Sequence, residues 1–317
     1  MSQHIYIYSP SGAVRDTAAF KRGVKRLREL GHEVEVDEAA LKSYRRFAGD
    51  DACRVAAIHR AADSGADVAL IARGGYGLTR ILPSLDYRKI AKAIELGMNF
   101  VGMSDFTAFQ NAVLAQTASV TWAGPALCEG FGAQPAPDEI MEACFNDLLL
   151  RQGEGAGWKQ LRTGTSFDSK TIAVSACVTG DGASFVAENC VLWGGNLSVL
   201  CGLLGTPYFP QIEGGILFLE DVAEHPYRIE RMLTQLLYAG VLARQKVVLM
   251  GQFTDYKLTP HDRGFKLSSV FDWLSNQIIA PVVSNLPYGH VPTKVLLPVG
   301  AHVDFSLQGR DALIFWG

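Results

Sequence analysis

The chain has 317 residues, 48% of them apolar and 19% charged, with a formal net charge of -3. That composition buries the core of two ordinary domains or one large one, and it excludes a disordered or low-complexity chain. The slight acidic excess excludes a surface built to neutralise a nucleic-acid backbone, and no apolar run approaches the roughly 18 residues of a membrane-spanning helix.

His4–Ser9 reads as a short buried strand that ends in the turn cluster Ser9-Pro10-Ser11-Gly12. The N-terminus lacks the basic start and long apolar run of a secretory signal, so a cytoplasmic protein is expected. Asp16–Leu30 carries Phe20, Val24, Leu27 and Leu30 at helical spacing and stops at Gly31. Glu33–Asp37 alternates like a strand, and Arg54–Ser64 reads as a helix. Asp67–Ala72 is a continuous apolar run broken at Gly74-Gly75, the pattern of a parallel strand covered on both faces. A helix over Lys89–Leu96, a strand over Asn99–Met103, a helix over Asp105–Ala115, a strand over Val120–Ala123 and a helix over Pro137–Arg151 follow. This alternation predicts an α/β fold, with a Rossmann-like parallel sheet over residues 1–151 whose chemistry sits at the carboxyl ends of its strands.

Gln152–Ser166 is rich in glycine and reads as a linker. Beyond it, residues 167–317 read as a mixed α+β domain. Strands are expected over Lys170–Val178, Ser184–Trp193, Gly215–Asp221 and Lys246–Gln252, with a turn at Gly194-Gly195-Asn196. Helices are expected over Tyr227–Ala243 and Ser268–Ile279, and short strands over Pro281–Leu286, Val295–Pro298 and Ala312–Trp316.

Two strand ends stand out. In Gly102-Met103-Ser104-Asp105-Phe106, the serine follows a strand directly and precedes a helix. That position suits a nucleophile beside the N–H groups of a helix start, and it equally suits a plain N-cap. In Arg73-Gly74-Gly75-Tyr76-Gly77, the glycines allow a close backbone approach to a ligand or merely a tight turn. The pattern is neither a P-loop nor a dinucleotide fingerprint. A serine nucleophile needs a base and an orienting carboxylate. His290, beside Gly289 in a loop after an apolar strand, is well placed for catalysis, and Glu220 and Asp221 end a strand with one carboxylate expected to be partly buried. Glu224 and His225 lack the companions of a metal site, and the six scattered cysteines read as thiols.

Taken in order, Ala72-Arg-Gly-Gly-Tyr-Gly77, Val101-Gly-Met-Ser-Asp-Phe-Thr107, Gly194-Gly-Asn-Leu197, Leu219-Glu-Asp221 and Leu286-Pro-Tyr-Gly-His290 resemble the LD-carboxypeptidase family of serine peptidases. The likeness runs from Ser9-Pro10 to Leu297-Pro298-Val299-Gly300. It implies an N-terminal Rossmann-like domain supplying Ser104, a C-terminal barrel-like domain supplying Glu220 and His290, and an active site at their junction. The N–H groups of Gly75 and Asp105 are the candidate oxyanion hole. The resemblance further implies a homodimer with no metal and no cofactor. The implied substrate is a small peptide, the murein tetrapeptide, from which terminal D-alanine is released during cytoplasmic cell-wall recycling. Neither nucleic acid nor membrane is an expected partner. Two alternatives stand beside this one. The first is a peptidase like the microcin C immunity proteins, acting on aminoacyl adenylates, with Trp193 either a nucleotide-stacking ring or a core residue. The second is a ligand-binding protein without activity. An ordinary α/β-hydrolase shares the Ser–acid–His order, but Phe106 stands where its elbow has a second glycine.

Overall fold

A computed structural model describes residues 2–161 and 184–317. The strand expected over Lys170–Val178 lies outside the described residues. The chain divides into two compact units.

The first unit comprises Met1–Gly153, Gly202–Pro210 and Pro292–Gly300. Its strands are β1 (His4–Tyr8), β2 (Glu33–Val36), β3 (Val68–Ile71), β4 (Asn99–Gly102), β5 (Thr121–Ala123) and, from far along the chain, β11 (Leu297–Val299). They lie in the order β11-β5-β4-β3-β1-β2. The first five run parallel, and β11 joins β5 antiparallel. The helices are α1 (Thr17–Glu29), α2 (Asp51–Asp63), α3 (Tyr87–Glu95), α4 (Phe106–Thr117) and α5 (Glu139–Leu150). Asp16, Asp50, Asp86 and Asp138 cap the starts of α1, α2, α3 and α5 through side-chain acceptors. Ile5, Ile7, Val68, Leu70 and Val101 are fully buried, which is why these strands read as continuous apolar runs. The order reverses between β1 and β3, because β2 lies on one side of β1 and β3 to β5 on the other. At such a switch point the loops leaving neighbouring strands diverge and open a crevice at the carboxyl ends.

Pro292–Gly300 belongs to this unit through the pairing of β11 and through Thr293, whose Oγ1 donates to Asp138 Oδ2 at 2.6 Å. Gly202–Pro210 belongs to it through Tyr208, stacked on Tyr87 at 6.1 Å, and through Pro207, whose carbonyl accepts from Gln116 Nε2.

The second unit comprises Glu154–Cys201, Gln211–Val291 and Ala301–Gly317. Its strands are β6 (Gly155–Lys159), β7 (Ser184–Asn196), β8 (Ile216–Val222), β9 (Val247–Thr254), β10 (Val282–Val283), β12 (His302–Gln308) and β13 (Asp311–Phe315), in the order β10-β9-β8-β7-β12-β13-β6. From β7 through β8 and β9 to β10 the pairing is parallel, and from β7 through β12 and β13 to β6 it is antiparallel. Among the described residues its helices are α6 (Leu197–Gly202), α7 (Pro226–Tyr238) and α8 (Leu267–Ser275). The two units bear out the mixed α/β expectation. The barrel-like detail is not seen among the described residues.

Two local readings change. Gly155–Lys159, inside the stretch taken as a linker, is strand β6 paired with β13. Its glycines serve close approach, since a Cβ on Gly155 would lie 2.3 Å from the Ile314 carbonyl oxygen. Gly194-Gly195-Asn196 is the end of β7 and pairs with Phe218, Leu219 and Glu220 of β8. Both glycines have φ of 125°, and a Cβ on Gly194 would fall 2.1 Å from the Phe218 carbonyl oxygen. A conformation that short-range rules assign to turns is here demanded by a neighbouring strand.

Candidate active site

Ser104 sits at the end of β4 with φ of 64°, in the left-handed region that a residue with a Cβ seldom enters. The cost is of order 1–3 kcal/mol, and such strain persists only where the surroundings over-determine it. Here Phe106 N–H donates to the Met103 carbonyl at 3.2 Å and Thr107 N–H to the Ser104 carbonyl at 2.9 Å, fixing the elbow on both sides. The residue is partly exposed. It is not a helix cap, since the cap position of α4 is Asp105 and no side chain closes it. Of the two roles open to Ser104 in the sequence, the cap is therefore gone.

Phe106 explains the missing second glycine. Its ring is fully buried, stacks on Phe109 at 4.7 Å, and packs under Gly102, where an added Cβ would lie 2.6 Å from Phe106 Cδ1. In this elbow one glycine and one aromatic ring share the space that two glycines leave in a hydrolase elbow.

The Gly74-Gly75 turn at the end of β3 lies against the serine: a Cβ on Gly74 would sit 2.7 Å from Ser104 Cβ and 2.9 Å from its Oγ. Gly75 has φ of 122°. Among the described residues, neither the Gly75 nor the Asp105 N–H donates to a backbone carbonyl. The Asp105 side chain is buried and accepts from Ser11 Oγ at 2.5 Å and from the Leu78 N–H at 2.9 Å. Burial pushes its carboxyl above the usual carboxylate range, against the pull of these hydrogen bonds and of Arg54.

In the second unit, Glu220 is completely buried near the end of β8 and accepts from His290 Nδ1 at 2.8 Å. A carboxylate facing Nδ1 places the proton there and leaves Nε2 as the basic nitrogen. Asn196, paired with Glu220 across β7 and β8, donates from Nδ2 to Glu220 Oε1 and to Asp221 Oδ1, each at 3.1 Å. Its Oδ1 accepts from Val199 N–H, which fixes the amide's orientation. Asp221 is also buried and takes N–H donors from Ser198 and Val222. Burial, with the neighbouring Glu220 charge, raises its carboxyl to about 6. The loop bearing His290 is pinned along β9. Leu286 N–H donates to the Met250 carbonyl, and Gln252 reaches the carbonyls of Tyr288 and Leu286. Tyr288 is buried edge-on against Phe218 at 5.4 Å. His290 itself stays about a quarter exposed while its partner is sealed.

Three other histidines are engaged elsewhere. His4 faces Glu35, His225 faces Asp262 and starts α7, and the His59 ring accepts from the Asp86 N–H. Among the described residues no group of three or more His, Cys, Asp or Glu side chains could hold a metal ion. Trp193 is fully buried, and its Nε1 donates to Gln245 Oε1 at 2.9 Å, so its ring belongs to the core and is closed to a nucleotide.

A family model described as the LD-carboxypeptidase N-terminal domain matches residues 5–124, and one described as the C-terminal domain matches residues 189–305. A solved muramoyltetrapeptide carboxypeptidase from Oxalobacter formigenes is 34% identical, with a TM-score of 0.83 over 99% of this chain and 98% of that one. The chain belongs to the LD-carboxypeptidase family. Two relatives show the family's range. The probable murein peptide carboxypeptidase of Bacillus subtilis (strain 168) is 29% identical over 289 residues, 91% of this chain and 84% of that protein. The Microcin C7 self-immunity protein MccF of Escherichia coli is 26% identical over 257 residues, 76% of this chain and 71% of that protein. As a member of this family the chain is an enzyme, a carboxypeptidase-type hydrolase.

Sequence reasoning missed Ser11 and Asn196 as site residues and gave Asp105 only its backbone role. The turn cluster after β1 was the available signal for Ser11.

Proposed function

We propose that Ser104, His290 and Glu220 form the catalytic triad of a cytoplasmic serine LD-carboxypeptidase, working as a homodimer, that releases terminal D-alanine from murein tetrapeptides in cell-wall recycling. The observation that carries the reading is the 2.8 Å bond from His290 Nδ1 to the sealed Glu220 carboxylate. A structural ion pair does not need a buried acid joined to a partly exposed imidazole, whereas a general base does. The strained, uncapped Ser104 and the murein-directed names of relatives support it.

In this mechanism His290 Nε2 takes the Ser104 proton as Oγ attacks the carbonyl joining the L-configured centre to D-alanine. The N–H groups of Gly75 and Asp105 stabilise the oxyanion, while Glu220 holds the imidazole and favours its charged form. Collapse breaks the amide bond, and His290 returns the proton to the departing D-alanine amine. Water, activated by the same imidazole, then hydrolyses the acyl-enzyme.

A second reading, cleavage of aminoacyl adenylates, is favoured by the likeness to MccF. Rates on murein tetrapeptide, on the pentapeptide with its D–D terminal bond, and on an aminoacyl sulfamoyl adenosine separate the two. The tetrapeptide should be cut fastest and the pentapeptide left largely intact, because a misplaced methyl or carboxylate leaves buried polar groups unpaired. Ser104→Ala and His290→Ala should each lower turnover by about 10⁴ to 10⁶. A preference for the adenosine compound would replace the cell-wall substrate, and a Ser104→Ala enzyme with near-normal turnover would remove the triad.

A further inference from the structure

The backbone of Asp105 has a part in the mechanism above, but its side chain does not. That side chain is only 2% exposed. Its Oδ2 accepts from the Ser11 hydroxyl at 2.5 Å and from the Leu78 N–H at 2.9 Å. Ser11 belongs to the loop after β1, Leu78 to the loop after β3, and Asp105 to the elbow after β4. One carboxylate therefore ties together the three strand ends at the switch point of the first sheet. The first two loops are also joined directly, by Gly12 N–H donating to the Gly74 carbonyl at 3.2 Å.

We propose that Ser11 and Asp105 are positioning residues for the oxyanion hole, their buried hydrogen bond fixing the Gly74–Gly75 turn against Ser104. The proposal rests on the serine-peptidase reading above. A carboxylate this deep is costly unless its lone pairs are filled, and burial alone already drives its proton affinity up. Removing the Ser11 donor leaves that cost partly unmet. The arrangement relaxes by moving the loop that carries the remaining donor. That loop holds Gly75, whose N–H must meet the developing oxyanion to within a few tenths of an ångström, and such donors are worth about 10² to 10³ in turnover. Substrate binding does not depend on the oxyanion, so KM is spared.

The test compares Ser11→Ala, Asp105→Asn (in which one of the two acceptor oxygens becomes an amide donor) and Ser104→Ala. The readouts are kcat and KM on the tetrapeptide, and inhibition by a peptide aldehyde that places a tetrahedral oxyanion at the scissile carbonyl. Both knot variants should lose at least about tenfold in kcat, with aldehyde inhibition weakened in step and KM held within about twofold. If Ser104→Ala abolishes turnover while a folded Ser11→Ala or Asp105→Asn keeps wild-type kcat and aldehyde inhibition, the knot is a purely structural device and the proposal is wrong. If KM rises in step with the loss while aldehyde inhibition relative to substrate is unchanged, it is also wrong. A fully active Ser104→Ala overturns the peptidase reading and this proposal with it.

Discussion

Replacing Gly74 with alanine puts a methyl group where the Ser104 side chain already is. The added Cβ would lie 2.7 Å from Ser104 Cβ, 2.9 Å from Oγ and 3.4 Å from the Met103 carbonyl oxygen. Carbon atoms rest at about 3.5–4.0 Å, so roughly 1 Å must be found. The Ser104 backbone cannot supply it, since it is already held at φ of 64° by hydrogen bonds on both sides of the elbow. Either Oγ swings off its line of attack or the Gly74–Gly75 turn withdraws its N–H. A displacement of about 1 Å at a reacting group costs on the order of 10² in rate. Gly74 itself lies outside the left-handed region, so alanine adds no backbone strain. The stability cost is then that of overpacking, about 1–3 kcal/mol, partly offset by the stiffer unfolded chain. The expected result is a folded enzyme, its Tm lowered by a few degrees, whose kcat for D-alanine release falls about 100-fold. Gly75→Val is a poorer probe, because at φ of 122° it adds strain to the crowding. A folded Gly74→Ala enzyme with wild-type kcat would show that this turn does not bear on the nucleophile.

Asp221 gives a pH prediction. Its folded carboxyl keeps a proton up to about pH 6, whereas the unfolded chain releases it near 3.8, so the native state binds more protons between these values. Stability therefore falls as pH rises through that window, by roughly 3 kcal/mol from this group. Asp221→Asn should flatten the slope between pH 4 and 6 in urea unfolding, and an unchanged slope would assign it to other groups. Gly102→Ala should destabilise by about 1–3 kcal/mol, because its Cβ would meet Phe106 Cδ1 at 2.6 Å and Ile71 Cδ1 at 2.7 Å. A Tm equal to wild type would show that the Phe106 ring and the Ile71 side chain can give way.

The elements of the first unit were legible because each carries its own signal. A strand buried on both faces, such as Val68–Ile71, has no choice but to be apolar throughout, and a helix such as Thr17–Glu29 shows its buried stripe and its Asp16 cap within one stretch of chain. The failures were at positions whose conformation is set by a distant partner. Gly194 continues a strand because the Phe218 carbonyl lies where its side chain would be, and nothing within several residues of it records that. β6 looked like a linker for the same reason. The candidate site divides along the same line. Ser104 was visible because strand, elbow and helix are consecutive, and Glu220 because an acid after four apolar residues is conspicuous. The bond that makes His290 a base spans 70 residues, and the one between Ser11 and Asp105 spans 94. Local pattern carries no trace of such pairs; only the resemblance of ordered motifs brought His290 and Glu220 together. The resemblance said nothing of the Asp105 side chain, because a buried aspartate at a helix start already has an ordinary explanation as a cap. The structure removes that explanation, since no side chain caps α4 and the carboxylate is spent on the two neighbouring loops. A polar residue that declines the local role its position offers is being held by something remote, and at this site that something carries the turn that faces the nucleophile.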